Sequence, residues 1–145
     1  MSERDADALF AAHGDLLDED RLEEWVDLFT DDCTYVVIPR ENVERGLPLA
    51  AIRCESKGYL KDRVVAVRET SMYAPRSHRH VIGASRVHDD GTMSASYAVF
   101  QTLAGEASSV FSVGRYVARV VDGRFAELRV IYDSNLVDNS IIKPL

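Results

Sequence analysis

His78-Arg79-His80 is the most metal-like group of residues in this sequence. In a strand, residues i and i+2 point to the same face, so the two imidazoles could converge on one ion. A third ligand is needed, and the next carboxylates, Asp89 and Asp90, stand at a turn. Hydrogen bonding in or beside a sheet, or packing at a subunit contact, asks less of the pair. Asp32, Tyr35, His80, Tyr97 and Asp133 make a second set. A carboxylate or imidazole tuned towards a neutral pKa can move a proton. A fold that gathered these five in one pocket would suit an isomerase, hydratase or cyclase, or a module that only binds a small molecule. The cysteines, Cys33 and Cys54, form neither a disulfide framework nor a zinc site by themselves and read as buried thiols. No GxGxxG, phosphate-cradling loop, Gly-x-Ser-x-Gly elbow or HExxH is present.

The elements that must position these residues follow from periodicity. Ser2 with Asp5 resembles a capping box, and Leu9, Phe10, His13, Leu16 and Leu17 repeat at helical spacing, with His13 on or beside the apolar face. Asp20 with Glu23 repeats the capping signal before the stripe Leu22, Trp25, Val26, Phe29 of a second helix. Cys33 to Pro39 reads as a strand closing at the proline. A charged loop from Pro39 to Gly46 leads through Leu47, Pro48 and the apolar run 49–52 to a third helix over 56–69. Ser56 caps that helix, and Leu60, Val64 and Val67 share one face. Beyond the loop Tyr73-Ala74-Pro75, strands are expected near 77–88, 93–101, 108–121 and 124–134, joined by turns at Asp89-Asp90-Gly91, Ala104-Gly105-Glu106 and Asp122-Gly123. The ending 136–145 carries apolar Ile141, Ile142 and Leu145, which suits packing on its own sheet or on a neighbour.

Helices first and a long antiparallel meander afterwards predict an α+β chain, with N-terminal helices packed on one face of a curved sheet. That order fits the cone-like fold of nuclear transport factor 2 and the cystatin-like proteins. With 145 residues the chain is expected to be one domain, 1–145, without a linker, internal repeat or low-complexity segment. A hydrophobic content of 46% and a charged content of 28% are those of a soluble globular protein. No stretch approaches the roughly 20 apolar residues of a membrane span, and the opening MSERDADALF is too acidic for a signal peptide, so the cytoplasm is the expected location. Residues 1–32 hold twelve of the 24 acids against two bases, Arg4 and Arg21, a local balance of −10 in a chain of net charge −7. That segment repels phosphate backbones, and no basic patch with interleaved aromatics offsets it, which argues against nucleic acid as a partner. It reads as a solvated helical face or, alternatively, as a docking surface for a basic partner.

Pro39-Arg40-Glu41-Asn42, Gly46-Leu47-Pro48, Glu55-Ser56-Lys57, Asp62-Arg63-Val64 and Arg68-Glu69-Thr70 together resemble the small (beta) subunits of bacterial Rieske non-haem iron aromatic-ring hydroxylating oxygenases. Within that family they are most similar to the salicylate 5-hydroxylase and terephthalate dioxygenase branch. Arg79-His80, Tyr132-Asp133-Ser134, Asn139-Ser140 and Pro144-Leu145 extend the likeness over almost the whole chain. The resemblance implies the same cone fold and a non-catalytic structural subunit in aromatic compound catabolism. It implies three large (alpha) and three small chains, the small ones forming a trimeric base. The large chain would hold the Rieske 2Fe-2S cluster and a mononuclear iron, fed from NAD(P)H through a ferredoxin or reductase, and no cofactor is expected in this chain. Its substrate would be a carboxylated or hydroxylated monocyclic aromatic. On this reading Arg40, Glu41, Asn42, Glu44, Arg45, Arg63, Arg68 and Arg79 serve contacts between subunits, since arginine suits bidentate pairing. A Rieske cluster requires Cys-x-His pairs. Cys33 is followed by Thr34-Tyr35 and Cys54 by Glu55-Ser56, so neither pair exists.

Overall fold

The computed structural model describes residues 1–70, 75–134 and 143–145. Helices α1 (Glu3–Asp18) and α2 (Leu22–Val26) precede strand β1 (Phe29–Pro39), the one-turn helix α3 (Arg40–Glu44), the short strand β2 (Ile52–Cys54) and helix α4 (Lys57–Thr70). Strands β3 (Arg76–Ile82), β4 (Arg86–Val87), β5 (Met93–Leu103), β6 (Ser109–Val121) and β7 (Arg124–Tyr132) follow. The described strands form one sheet in the order β2-β1-β7-β6-β5-β3, with β4 also on β5. The pairings from β3 through β7 are antiparallel, as the meander predicts, whereas β1 joins β7 in parallel, so the sheet is mixed.

Several local expectations hold and others shift for visible reasons. Ser2 caps α1 in a reciprocal box with Asp5, and the Ser56 hydroxyl accepts from the Tyr59 N–H at the start of α4. Asp20, in contrast, does not cap α2. Arg21 occupies the cap position, while Asp20 sits at φ 59° with its carboxylate turned to Arg68 and Lys143. α2 closes at Val26, and Phe29 opens β1 instead of completing the helical stripe. Its ring packs against Trp25, Tyr35 and Phe125. Residues 40–44, expected as loop, make a turn of helix because Arg40 with Glu44 and Arg45 with Glu41 pair at i,i+4 spacing. The strand expected over 77–88 breaks at Gly83-Ala84-Ser85, where the Ser85 N–H donates to Asp7 of α1 at 2.7 Å. The Tyr73-Ala74 loop, Ile141, Ile142 and the Asn139-Ser140 pair lie outside the described residues.

The helices cover one face of the sheet. Phe10, His13 and Leu17 of α1, Leu22 and Trp25 of α2, and Leu60, Val64 and Val67 of α4 are buried against inward residues of β1, β5, β6 and β7. Most acids of the opening are solvent-exposed, and several of them also have partners within the chain. Asp7 binds Ser85, Asp18 binds His80, Asp20 and Glu23 bind Arg68, Glu19 and Glu24 bind Arg21, and Asp27 binds Lys57. These acids fasten the helices to the sheet and to one another. α1 approaches β3 closely through Gly14, where a Cβ would stand 3.1 Å from both His80 Cβ and Ile82 Cδ1.

Candidate functional site

Inside the cone a polar chain runs through an aromatic core. His13 is fully buried. Its Nδ1 accepts from the Trp25 indole N–H at 2.9 Å, which leaves Nε2 as the protonated nitrogen, donating to the Leu145 backbone oxygen at 3.2 Å. Burial, with the neighbouring His80 adding to it, pushes the His13 pKa down to about 3, so the ring is neutral. Tyr35 Oη donates to the same Leu145 oxygen at 2.9 Å and accepts from the Leu145 N–H, also at 2.9 Å. Leu145 is itself completely buried, and Lys143 pairs with Asp20 at 2.9 Å, so the segment Lys143–Leu145 is pinned at both ends.

Beside His13 stands an Asp–His pair. Asp18 accepts from the His80 backbone N–H at 2.7 Å and lies 2.6 Å from Nδ1, which fixes the ring. The His80 side chain is only 2% exposed, and its Nε2 has no hydrogen-bond partner. Tyr116 is stacked on Tyr97 at 4.5 Å and edge-on to His13 at 5.0 Å, and its buried hydroxyl is likewise unpartnered. Tyr97 Oη bonds Ser112 Oγ at 2.9 Å. Burial pushes the phenols of Tyr35, Tyr97 and Tyr116 up, so all three are neutral donors.

Of the five residues considered for an acid–base pocket, the structure brings Tyr35, His80 and Tyr97 into this interior. It leaves the other two outside. Asp32 is exposed on β1, where it accepts from Thr30, and Asp133 is exposed at the end of β7 with Arg40 at 3.4 Å. Asp18, Tyr116 and Leu145 complete the interior and were not singled out by sequence. Asp18 was hidden in the acidic run, while buried Leu145 had a signal in the apolar character of the last residues.

His78 and His80 share a face, as their spacing requires, without facing a common point. His78 stacks on Phe111 at 4.7 Å and bonds Gln101 at 3.2 Å, while His80 turns to Asp18. Among the described residues no three His, Cys, Asp or Glu side chains are grouped to hold a metal ion. Cys33 and Cys54 are buried thiols, that of Cys33 pushed up to about 11 mainly by burial. The described residues therefore do not fit a Rieske or mononuclear iron centre. No described helix is long and apolar enough to cross a membrane.

The outer face of the sheet carries a different feature. Val81 of β3 pairs with Ala98 of β5, which pairs with Val113 of β6. Val81 is 54% exposed, Val113 42%, and Phe100 and Val110 one step along are also exposed. Arg79 stands beside this band, opposite Phe100. The remaining candidate contact residues lie elsewhere. Arg40, Glu41, Glu44 and Arg45 pair within α3, Asn42 Nδ2 donates to the Leu49 oxygen at 2.8 Å, and Arg63 lies on α4. Arg68, also on α4, forks onto Glu23 and reaches Asp20.

This architecture defines the protein's class: residues 2–124 match the SnoaL-like domain family, to which the chain belongs. Its relatives are narrower in kind. The chain is 37% identical over 137 residues to the anthranilate 1,2-dioxygenase small subunit of Burkholderia cepacia, covering 89% of this chain and 85% of that one. It is 31% identical to a beta subunit of the terephthalate 1,2-dioxygenase terminal oxygenase of a Comamonas species, covering 95% of each. A solved structure described as the beta subunit of an aromatic-ring-hydroxylating dioxygenase, from Novosphingobium aromaticivorans, superposes with a TM-score of 0.85 at 40% identity, covering 99% of this chain and 96% of that one. The chain belongs to the family of small subunits of aromatic-ring-hydroxylating dioxygenases, and its function is that of such an oxygenase component.

Proposed function

We propose that this chain is the structural base of a hetero-oligomeric oxygenase, binding a large iron-bearing subunit and further copies of itself, in the three-plus-three arrangement that the family resemblance implies. The observation that carries the reading is the apolar band of Val81, Phe100, Val110 and Val113, solvent-exposed in the lone chain, with half-buried Ala98 among them on the outer face. A contiguous exposed apolar surface rimmed by polar groups marks a protein contact, and Arg79 and Arg115 flank this one. A second contact surface is α3 with Arg40, Glu41, Asn42, Glu44 and Arg45, of which Asn42 lines a shallow cleft of about 280 Å³ with Arg53 and Arg129 in its wall. Arg63 and Arg68 lie on α4. A partner there would share the Arg68 guanidinium with Glu23 and Asp20. In this reading the Rieske cluster and mononuclear iron belong to the large chain, which takes electrons from NAD(P)H through a reductase in the cytoplasm. The small chain supplies shape and contacts. A carboxylated monocyclic aromatic is the substrate class, supported by the relatives named for anthranilate and terephthalate.

Two aspartates on the band test the reading. Val81 and Val113 are exposed, so Val81→Asp with Val113→Asp should cost the isolated fold no more than about 1 kcal/mol per site. In the assembled complex the same charges would be buried without partners. Light scattering of the co-expressed chains should show the complex replaced by free small subunit, with unchanged circular dichroism. An intact complex of undiminished mass removes the band from the interface.

A further inference from the structure

Two surfaces of this chain look in opposite directions and carry opposite charge. On the outer face of the sheet the register sets Arg53 of β2, Val36 of β1, Arg129 of β7, Val117 of β6, Ser94 of β5 and Arg86 of β4 in one row. Arg115 and Arg119 stand two residues to either side of Val117 on β6, so with Arg129 three guanidiniums surround that valine. Arg79 continues the set beside the apolar band. Arg79, Arg86, Arg115 and Arg119 are exposed and Arg129 is half-buried. Among the described residues none of these five has an ion pair, although the arginines of α2, α3 and Arg68 of α4 region all do. Glu127 lies opposite Arg119 in the register without pairing with it, and Asp133 at the end of β7 is taken by Arg40. Like charges set next to one another on a sheet repel, so the cluster is unfavourable in the lone chain.

The side of α1 turned away from the sheet carries the complement. Ala8, Ala11, Asp15 and Glu19 follow one another at helical spacing and are exposed, while Phe10, His13 and Leu17 face the core. Asp15 and Glu19 stand at the C-terminal end of α1, whose last turn holds no basic residue. The negative end of the helix dipole lies there, so both carboxylates are set against it and a cation would relieve them. Glu19 shares Arg21 with Glu24, one guanidinium between two carboxylates, and Asp15 has no ion pair among the described residues. The two alanines leave room for long side chains to lie along the stripe.

We propose that the outer sheet face of one copy docks on the α1 stripe of a second copy, with Arg115, Arg119 and Arg129 meeting Asp15 and Glu19 and the apolar band closing beside them. The two surfaces point away from each other, so they cannot satisfy one another within a single copy, and docking relieves both. Two outer faces laid together would juxtapose their arginines, an arrangement that complementarity rules against. The contact is therefore head to tail, the kind that closes into a ring when the rotation between neighbours allows it. This rests on the reading above that copies of the chain contact one another, and it assigns the two faces they use.

The test is self-association of the whole chain expressed alone, followed by sedimentation over a concentration series. Arg115→Glu with Arg119→Glu should raise the dissociation constant at least about tenfold, and so should Asp15→Arg with Glu19→Arg, because each sets like charges against like. All four substitutions in one chain restore opposite charges across a head-to-tail contact and should recover most of the lost affinity, to within about threefold of the parent. A parent chain that stays monomeric overturns the proposal. So do a pair of substitutions that leaves association unchanged and a four-site variant no better than the two-site ones. Should a variant not fold, the parent decides: raising salt from about 0.1 to about 0.5 M should weaken its association, and indifference to salt counts against the contact. Co-expression with the large subunit separates this inference from the oxygenase reading. A chain that is monomeric alone yet enters the iron-bearing complex overturns the self-contact and leaves that reading standing. Self-association with charge-swap rescue, but without any large companion, upholds the contact and removes the oxygenase role.

Discussion

Gly114→Ala is expected to destabilise the chain by at least about 3 kcal/mol, beyond the usual cost of inserting one methyl group into a core. Gly114 lies in the middle of β6, paired with Tyr132 of β7. A Cβ built there would stand 2.0 Å from the Ile131 backbone oxygen and 2.8 Å from Tyr132 Cα. Both obstacles are main chain, so no rotamer change relieves the clash. Only separation of the two central strands does, and those strands carry Tyr116, Leu128 and Val130 into the core. Glycine in a strand interior commonly marks such a close backbone approach. In urea titration the variant's midpoint should fall well below that of the parent. A midpoint within the range of a surface substitution would mean that β6 and β7 do not approach as closely as described.

The second large effect is a loss of stability on acidification, centred on His13. Its folded pKa, about 3, lies below the ordinary value of 6.5 because the ring is buried. The unfolded chain therefore binds a proton that the folded chain refuses between those values. The stability that neutral His13 contributes is complete above pH 6.5 and is lost as the pH falls through the window down to about 3. The slope is about 1.4 kcal/mol per pH unit, or about 2 kcal/mol between pH 7 and pH 5. His78, whose pKa is also lowered by burial, adds to the effect with the same sign. His13→Gln should flatten the dependence even though it lowers stability at pH 7. Parallel curves for the two proteins across pH 5 to 7 would show that His13 is not the group responsible.

Much of the fold was legible because its determinants are local. The Ser2–Asp5 box, the Ser56 cap, the stripe Leu60-Val64-Val67 and the positive-φ turn Asp122-Gly123 are each written within a few residues. The parallel pairing of β1 with β7 was not legible, because it joins segments about ninety residues apart and no turn records it. Asp20 misled for a related reason. Its type and spacing fit a helix cap, but the guanidinium of Arg68, 48 residues away, draws its carboxylate into a charged cluster that a local pattern does not contain. The candidate pocket divided along the same line. Tyr35 and Tyr97, chosen for their chemistry, fall at strand positions that the structure buries. Asp32 and Asp133 had the right chemistry on residues that the strands turn to solvent. Asp18 is apparent as a partner of His80 only when α1 is laid across β3 at the width that Gly14 permits.

The central claim, that this chain works as the small component of an aromatic-ring-hydroxylating oxygenase, is tested most directly by native mass spectrometry with an iron count on the tagged chain recovered from its own cells. The expected result is a heavy complex that holds this chain and a larger companion in equal number, with three iron atoms per pair: two in a Rieske cluster and one mononuclear. An iron-free assembly of this chain alone, recovered without a companion, would contradict it.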